Sequence, residues 1–149
     1  MEKQKTGREI AVQTLHAYKA ALQRSNDLIA QYEAIENIEE PSSSQLARLK
    51  ELEEILIPEA VAKDKKIKEK VDELLLLPGE ALSYTQLQIL EMRWLASMEW
   101  DDITTAMHGK KEDFLKKFEY YKNRVFKLHG RGLDAIGAAL DRKMQSPAE

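Results

Sequence analysis

From Arg8 to about Glu36, the residues Ile10, Thr14, Ala17, Leu22, Ile29 and Tyr32 fall along one side of a 3.6-residue repeat. Leu28 and further alanines widen the stripe, so the pattern predicts a long amphipathic helix behind a polar terminus, residues 1–7. Pro41 interrupts the run, and Ser42-Ser43-Ser44 offers hydroxyls that can accept the unpaired N–H groups of a new first turn. A second stripe follows at Leu46, Leu49, Leu52 and Leu56. Pro58 is expected to break or restart it, because proline lacks an N–H and suits a first turn but not a helix interior. A further helix from about Glu59 to Leu76 sets Ile67, Val71 and Leu74 on one side, and Leu74 to Leu77 broaden the apolar surface before Pro78-Gly79 ends it.

The C-terminal half has shorter periods. Ser83 followed by Gln86 has capping-box spacing, and Leu87, Leu90 and Trp94 then share a side. Ser97 to Glu99 leaves room only for a tight connection before a helix led by Trp100-Asp101-Asp102, with Ile103 and Met107 one turn apart. Gly109 suits the next turn, where a left-handed conformation costs it no side-chain clash. After His108-Gly109-Lys110, a long helix-like segment spaces Phe114, Phe118, Tyr121, Val125 and Leu128 as a packing stripe. Its neighbouring face carries Lys110, Lys117, Arg124 and Arg131. Glycine disfavours a helix interior, so His129-Gly130-Arg131-Gly132 is expected to mark a bend before a weaker terminal helix, Leu133–Lys143.

These elements predict an all-α protein: a long helical hairpin or coiled-coil-like region over 1–78, a helix-turn-helix unit over 79–143, and a flexible tail over 144–149. Scarce glycine and proline, with recurring Ala, Leu, Glu and Lys, agree with that class. The N-terminal stripe is only partly heptad-regular. It therefore leaves open an antiparallel hairpin within one chain and helices that pair between chains as a homodimer or higher oligomer.

Charge sharpens the picture. The formal net charge is −3, which argues against a uniformly basic coat. Residues 33–60 hold eight acidic and two basic residues, whereas 108–132 hold eight Lys/Arg against three Asp/Glu. The C-terminal field can face phosphates while the acidic section faces elsewhere. Enzymatic chemistry finds no foothold. There is no cysteine, and His16, His108 and His129 are far apart without metal-ligand spacing. Asp101-Asp102 suits the positive end of a helix dipole, and Glu53-Glu54 a solvated face. No cofactor or metal is expected. The N-terminal residues Met1-Glu2-Lys3-Gln4-Lys5 precede no apolar signal and no stretch reaches membrane-spanning length, so the expectation is a cytoplasmic protein without a membrane partner.

One resemblance adds a function. Leu82, Gln86, Ile89-Leu90 and Arg93-Trp94, followed by Trp100-Asp101-Asp102-Ile103, resemble the promoter-reading C-terminal domain of bacterial sigma factors. Together with Val125-Phe126-Lys127-Leu128-His129-Gly130-Arg131-Gly132-Leu133, the segment looks more specifically like small sigma-like regulators of phages and prophages in Gram-positive bacteria. The resemblance covers about Leu82 to Leu140. It implies a DNA-binding transcription regulator that activates late or packaging-associated phage genes, with double-stranded DNA and bacterial RNA polymerase as partners. The interval from Gly109 to Arg131 is longer than in the simpler sigma-like pattern. Either the recognition helix is extended, or an inserted turn near Lys110-Lys111-Glu112-Asp113 changes its register.

The expected DNA-binding residues are Lys110, Lys111, Lys116, Lys117, Tyr120, Asn123, Arg124, Lys127 and Arg131. The lysines supply phosphate attraction, while asparagine and arginine have side chains that can also read bases. Two other functions fit the same residues: a small DNA-recognition subunit of phage packaging machinery, and a helical protein-interaction adaptor.

Overall fold

Thr6 opens the first helix by accepting the Glu9 N–H at 3.2 Å, and α1 then runs Gly7–Glu36. The computed structural model describes residues 5–145; residues 1–4 and 146–149, which include part of the expected polar terminus and most of the expected tail, lie outside them. Met144 and Gln145 belong to the last helix. Every regular element among the described residues is helical, so the chain is all-α there. None of these helices is long and apolar enough to cross a membrane.

Ser42 caps α2, Ser43–Glu51, reciprocally: its hydroxyl accepts the Gln45 N–H at 3.1 Å and the Gln45 side-chain Oε1 accepts the Ser42 N–H at 2.8 Å. Of the two expectations at Pro58, the restart is what the structure shows: the chain does not break, and Pro58 stands in the first turn of a new helical segment. A π-helical turn, Leu52–Leu56, carries α2 directly into α3, Ile57–Leu76. Its wider turn bonds the Ile57 N–H to the Leu52 carbonyl, five residues back. Pro58 then stands in the first turn of α3, the position where proline's missing N–H is best tolerated. Gln31 meets Arg48 at 3.1 Å and Ser25 meets Asp64 at 2.5 Å, so α1 and the α2–α3 rod run in opposite directions within one chain. Leu28, Leu52 and Ala60 are buried between them.

Ser83 repeats the reciprocal cap for α4, Tyr84–Leu90, with Gln86. A second π-helical turn, Glu91–Leu95, ends α4; α5 is Trp100–His108 and α6 is Phe118–Gln145. Gly109 does not take the expected left-handed conformation: its φ is −61°. Left-handed geometry falls instead on Gly79 and on Ser97, at φ 56° and 55°. Ser97 turns the chain between α4 and α5.

The expected bend near Gly130 and Gly132 is also absent, for α6 is continuous through both. Tertiary packing overrides the helix propensity of glycine here. A Cβ on Gly132 would lie 3.0 Å from Leu90 Cδ1, so glycine lets α6 press onto α4. Further along, Gly137 touches the start of α1, where a Cβ would lie 2.8 Å from the Arg8 nitrogen. The Gly7 N–H is itself tied to α6, donating to Asp141 Oδ1 at 2.7 Å.

The main core draws on both sides of residues 78 and 79. Ala11, Leu15 and Tyr18 of α1 meet Val71, Leu74 and Leu75 of α3, Leu90 and Trp94 of the α4 segment, and Leu133 and Ile136 of α6. Leu15, Leu90 and Ile136 are fully buried, each stabilising by about 1.5–3 kcal/mol relative to exposure. A smaller cluster of Ile89, Ile103 and Val125 joins α4, α5 and α6.

Candidate nucleic-acid interface

That smaller cluster fixes which side of α6 faces water. Val125 is buried against Ile89 and Ile103, and Trp100 meets Phe126 edge-on at 5.0 Å. Lys122 turns toward α5 and pairs with Asp101 at 2.8 Å; the hydrogen bond to Asp101 holds its ammonium above the usual lysine range. On the opposite side Tyr120, Asn123, Arg124, Lys127 and Arg131 are all exposed and recur every three or four residues, so they share one face. The stripe extends about 16 Å along the helix at 1.5 Å per residue. Asn123, Arg124, Lys127 and Arg131 form no ion pair or side-chain hydrogen bond with another described residue.

Lys110, Lys111, Lys116 and Lys117 are placed differently from the expectation of a continuous helix after Gly109. They lie on a turn-rich connection, 109–117, and α6 starts only at Phe118. Of the two readings of this interval, the structure takes the inserted turn. The connection is longer than the three or four residues of a compact helix-turn-helix. A tight connection does occur one step earlier, between Leu95 and Trp100.

An aromatic and ionic lock shapes the inserted turn. The Tyr121 hydroxyl donates to Asp113 Oδ1 at 2.6 Å, and this bond holds the Asp113 carboxyl below the usual carboxylate range while raising the phenol. Phe114 is buried, 5.5 Å from the Phe118 ring and 6.2 Å from the Tyr121 ring. His108 stacks on Tyr121 at 4.8 Å, and burial, then Lys111 and Arg124, push its imidazole toward the neutral form.

These contacts sort the four lysines. Lys111 sits 4.8 Å over the Tyr121 ring and Lys117 pairs with Asp113 at 3.4 Å, whereas Lys110 and Lys116 are exposed and enter no ion pair among the described residues. The packing stripe itself forms, with Phe114, Tyr121 and Val125 buried and Phe118 and Leu128 half-buried, although Phe114 reaches it from the turn rather than from the helix. Periodicity gives no access to the Asp113–Tyr121 bond, because the two residues are not on consecutive helical turns.

A second cluster ties this face to the rest of the molecule. The Trp94 indole N–H donates to His129 Nε2 at 3.0 Å, and Trp94 is buried. Arg93 lies 4.6 Å over the Trp100 ring and donates to the Met98 carbonyl at 3.0 Å. Burial, then the charges of Arg93 and Arg8, lower the His129 pKa to about 4. Within His129-Gly130-Arg131-Gly132, therefore, His129 points into the molecule and Arg131 into solvent.

The arrangement presents guanidinium, ammonium, amide and phenol groups on one rigid helix, backed by a core and flanked by a lysine-bearing turn. Such a surface suits a polyanion, with Arg and Lys for phosphate and Asn123 and Arg124 chemically able to meet base edges. No group of three or more His, Asp or Glu able to hold a metal ion occurs among the described residues. In comparisons with known proteins, no family model, curated protein or solved structure matches the chain.

Proposed function

We propose that the chain is a sequence-specific, double-stranded DNA-binding regulator whose α6 enters the major groove through Tyr120, Asn123, Arg124, Lys127 and Arg131. The observation that carries this reading is the uninterrupted exposed basic face of α6, whose cations are not spent on internal ion pairs among the described residues. A helix of this width fits the major groove, and the exposed lysines of the preceding turn would meet phosphate beside it. The four lysines act in affinity, and the α6 side chains in register and base choice.

The regulatory part of the proposal comes from the sigma-like segment. By that resemblance the chain acts in the bacterial cytoplasm, contacts RNA polymerase, and activates late or packaging-associated phage genes. Selection of bound fragments from genomic DNA, followed by a promoter reporter on the enriched site, tests both parts in order. Enrichment of one site and reporter activation are expected. Failure to bind duplex DNA even at low salt would reject DNA recognition; an enriched site that drives no transcription would reject the regulatory role and favour the packaging subunit.

A further inference from the structure

The α2–α3 rod leaves four large apolar residues exposed, Leu46, Ile55, Val61 and Leu76, and all but Ile55 share one side. Leu46, Val61 and Leu76 are 50%, 53% and 78% exposed. Leu46 stands 15 residues before Val61 and Leu76 stands 15 residues after it. With the π-helical turn Leu52–Leu56 adding one residue to the first interval, all three fall within one broad side of the rod.

Charge along the rod is bipolar about the same centre. Residues 51–59 carry four glutamates and no lysine or arginine, whereas 63–70 carry five lysines against Asp64 and Glu69. Asp64 turns inward to accept from Ser25, so it subtracts little from the outer lysine field. Among the described residues, the only ion pair made by the lysine block is the loose Lys68–Asp72 approach at 4.0 Å.

We propose that two copies of the chain pair side by side through this rod, antiparallel, about a twofold axis beside Val61. In that arrangement the glutamate block of each copy lies on the lysine block of the other, and Leu46 of each meets Leu76 of the other. Val61 meets its own counterpart at the axis. Parallel pairing would oppose like charges along the whole rod, so charge selects the antiparallel sense. Leu46 and Leu76 are about 45 Å apart along the helix, which prevents one chain from satisfying both ends itself. The interface is isologous and therefore closes at two copies. It stands on the rod alone and does not depend on what α6 binds.

The chain contains no cysteine, so single cysteines report the pairing directly. The exposed positions allow V61C, L46C and L76C in the full chain without disturbing its core. Under oxidation V61C should form a disulfide dimer. L46C alone and L76C alone should stay single, and a mixture of the two should crosslink. E119C, exposed on α6, sets the background of chance collision. Self-crosslinking of L46C and of L76C would overturn the antiparallel sense. No V61C crosslink above the E119C background, with a wild type that sediments as a monomer at every concentration tried, would overturn the pairing altogether. In a second arm, E53K/E54K and K65E/K66E should each sediment as monomers and form a dimer when mixed; failure of the mixture to associate would remove the charge argument.

Discussion

Trp94 and His129 are joined by one hydrogen bond, in which the indole N–H donates to Nε2 at 3.0 Å across the gap between the α4 segment and α6. His16 of α1 meets the same indole edge-on at 4.8 Å, and Trp100 of α5 meets the His129 ring at the same separation. Four parts of the chain therefore converge on two side chains. The basic face of α6, Tyr120 to Arg131, lies on the other side of the same helix from His129, so its orientation relative to the α1–α3 hairpin is set at this junction.

Acid should weaken that junction. Nε2 accepts a hydrogen bond only while unprotonated, and the folded-state pKa of about 4 lies below the ordinary histidine value. A depressed pKa means that the unfolded chain takes up a proton first. The stabilisation is complete above about pH 6.5 and is lost as pH falls from there toward the folded value. The melting temperature should drop between pH 7 and pH 5, and His129→Gln should flatten that part of the profile while lowering stability at pH 7. A wild-type melting temperature unchanged over this range would contradict the assignment.

Two glycines of α6 should respond in opposite directions to alanine. At Gly130 an added Cβ meets nothing within 4 Å, so Gly130→Ala should stabilise the helix by about 0.5–1 kcal/mol through backbone entropy. At Gly137 the Cβ would sit 2.8 Å from the Arg8 backbone nitrogen, and Gly137→Ala should cost on the order of 1–3 kcal/mol as α1 is pushed away. Urea titrations of the two variants measure both signs. Stabilisation by Gly137→Ala would mean that α1 and α6 do not touch through their backbones.

Neighbouring glycines also explain which parts of the fold were legible in the sequence. The reciprocal Ser83–Gln86 cap could be read directly, because the partners are three residues apart and the chemistry is local; at α2 the serine run announces a cap but does not single out Gln45 as its reciprocal partner. Continuity of α6 could not be read, because Gly132 and Gly137 are helical for reasons that lie on α4 and α1. Pro58 did mark the start of α3, but the π-helical turn before it could not be read, being a backbone adjustment without a periodic signature. In the candidate site, the shared face of Tyr120, Asn123, Arg124, Lys127 and Arg131 follows from helical spacing alone. The lysine-bearing turn differs, since apolar spacing extends the helix back through Phe114, whereas the Asp113–Tyr121 bond and the stacking of His108 fold that stretch over.

Asp113 should prove to be the latch of the inserted turn. Its carboxyl is held below the usual range chiefly by the Tyr121 hydroxyl, so its contribution is intact above the ordinary aspartate value near pH 4 and fades only as pH falls through the lowered one. At neutral pH, Asp113→Asn or Tyr121→Phe should speed amide exchange in residues 110–117 several-fold and leave the α1–α3 hairpin unchanged. Equal acceleration in both regions would indicate general destabilisation, and no acceleration would show that the aromatic packing of Phe114 suffices.

If α6 lies against DNA as proposed, the salt dependence of binding will report how many phosphates its cations neutralise. Removing one phosphate-bound cation should reduce the slope of log affinity against log salt by about 0.9. Arg124→Ala, Lys127→Ala and Arg131→Ala should each do so where the side chain meets phosphate, weakening enriched and unrelated duplexes alike. Lys122→Ala should leave the slope unchanged, because that ammonium is engaged by Asp101 rather than by the solvent-facing stripe. Asn123→Ala should behave differently, relaxing discrimination between sequences by about 1–3 kcal/mol with little change in slope. Fluorescence anisotropy on matched and scrambled duplexes at several salt concentrations separates these effects. A wild-type slope matched by the triple variant of Arg124, Lys127 and Arg131 would place the DNA on another surface.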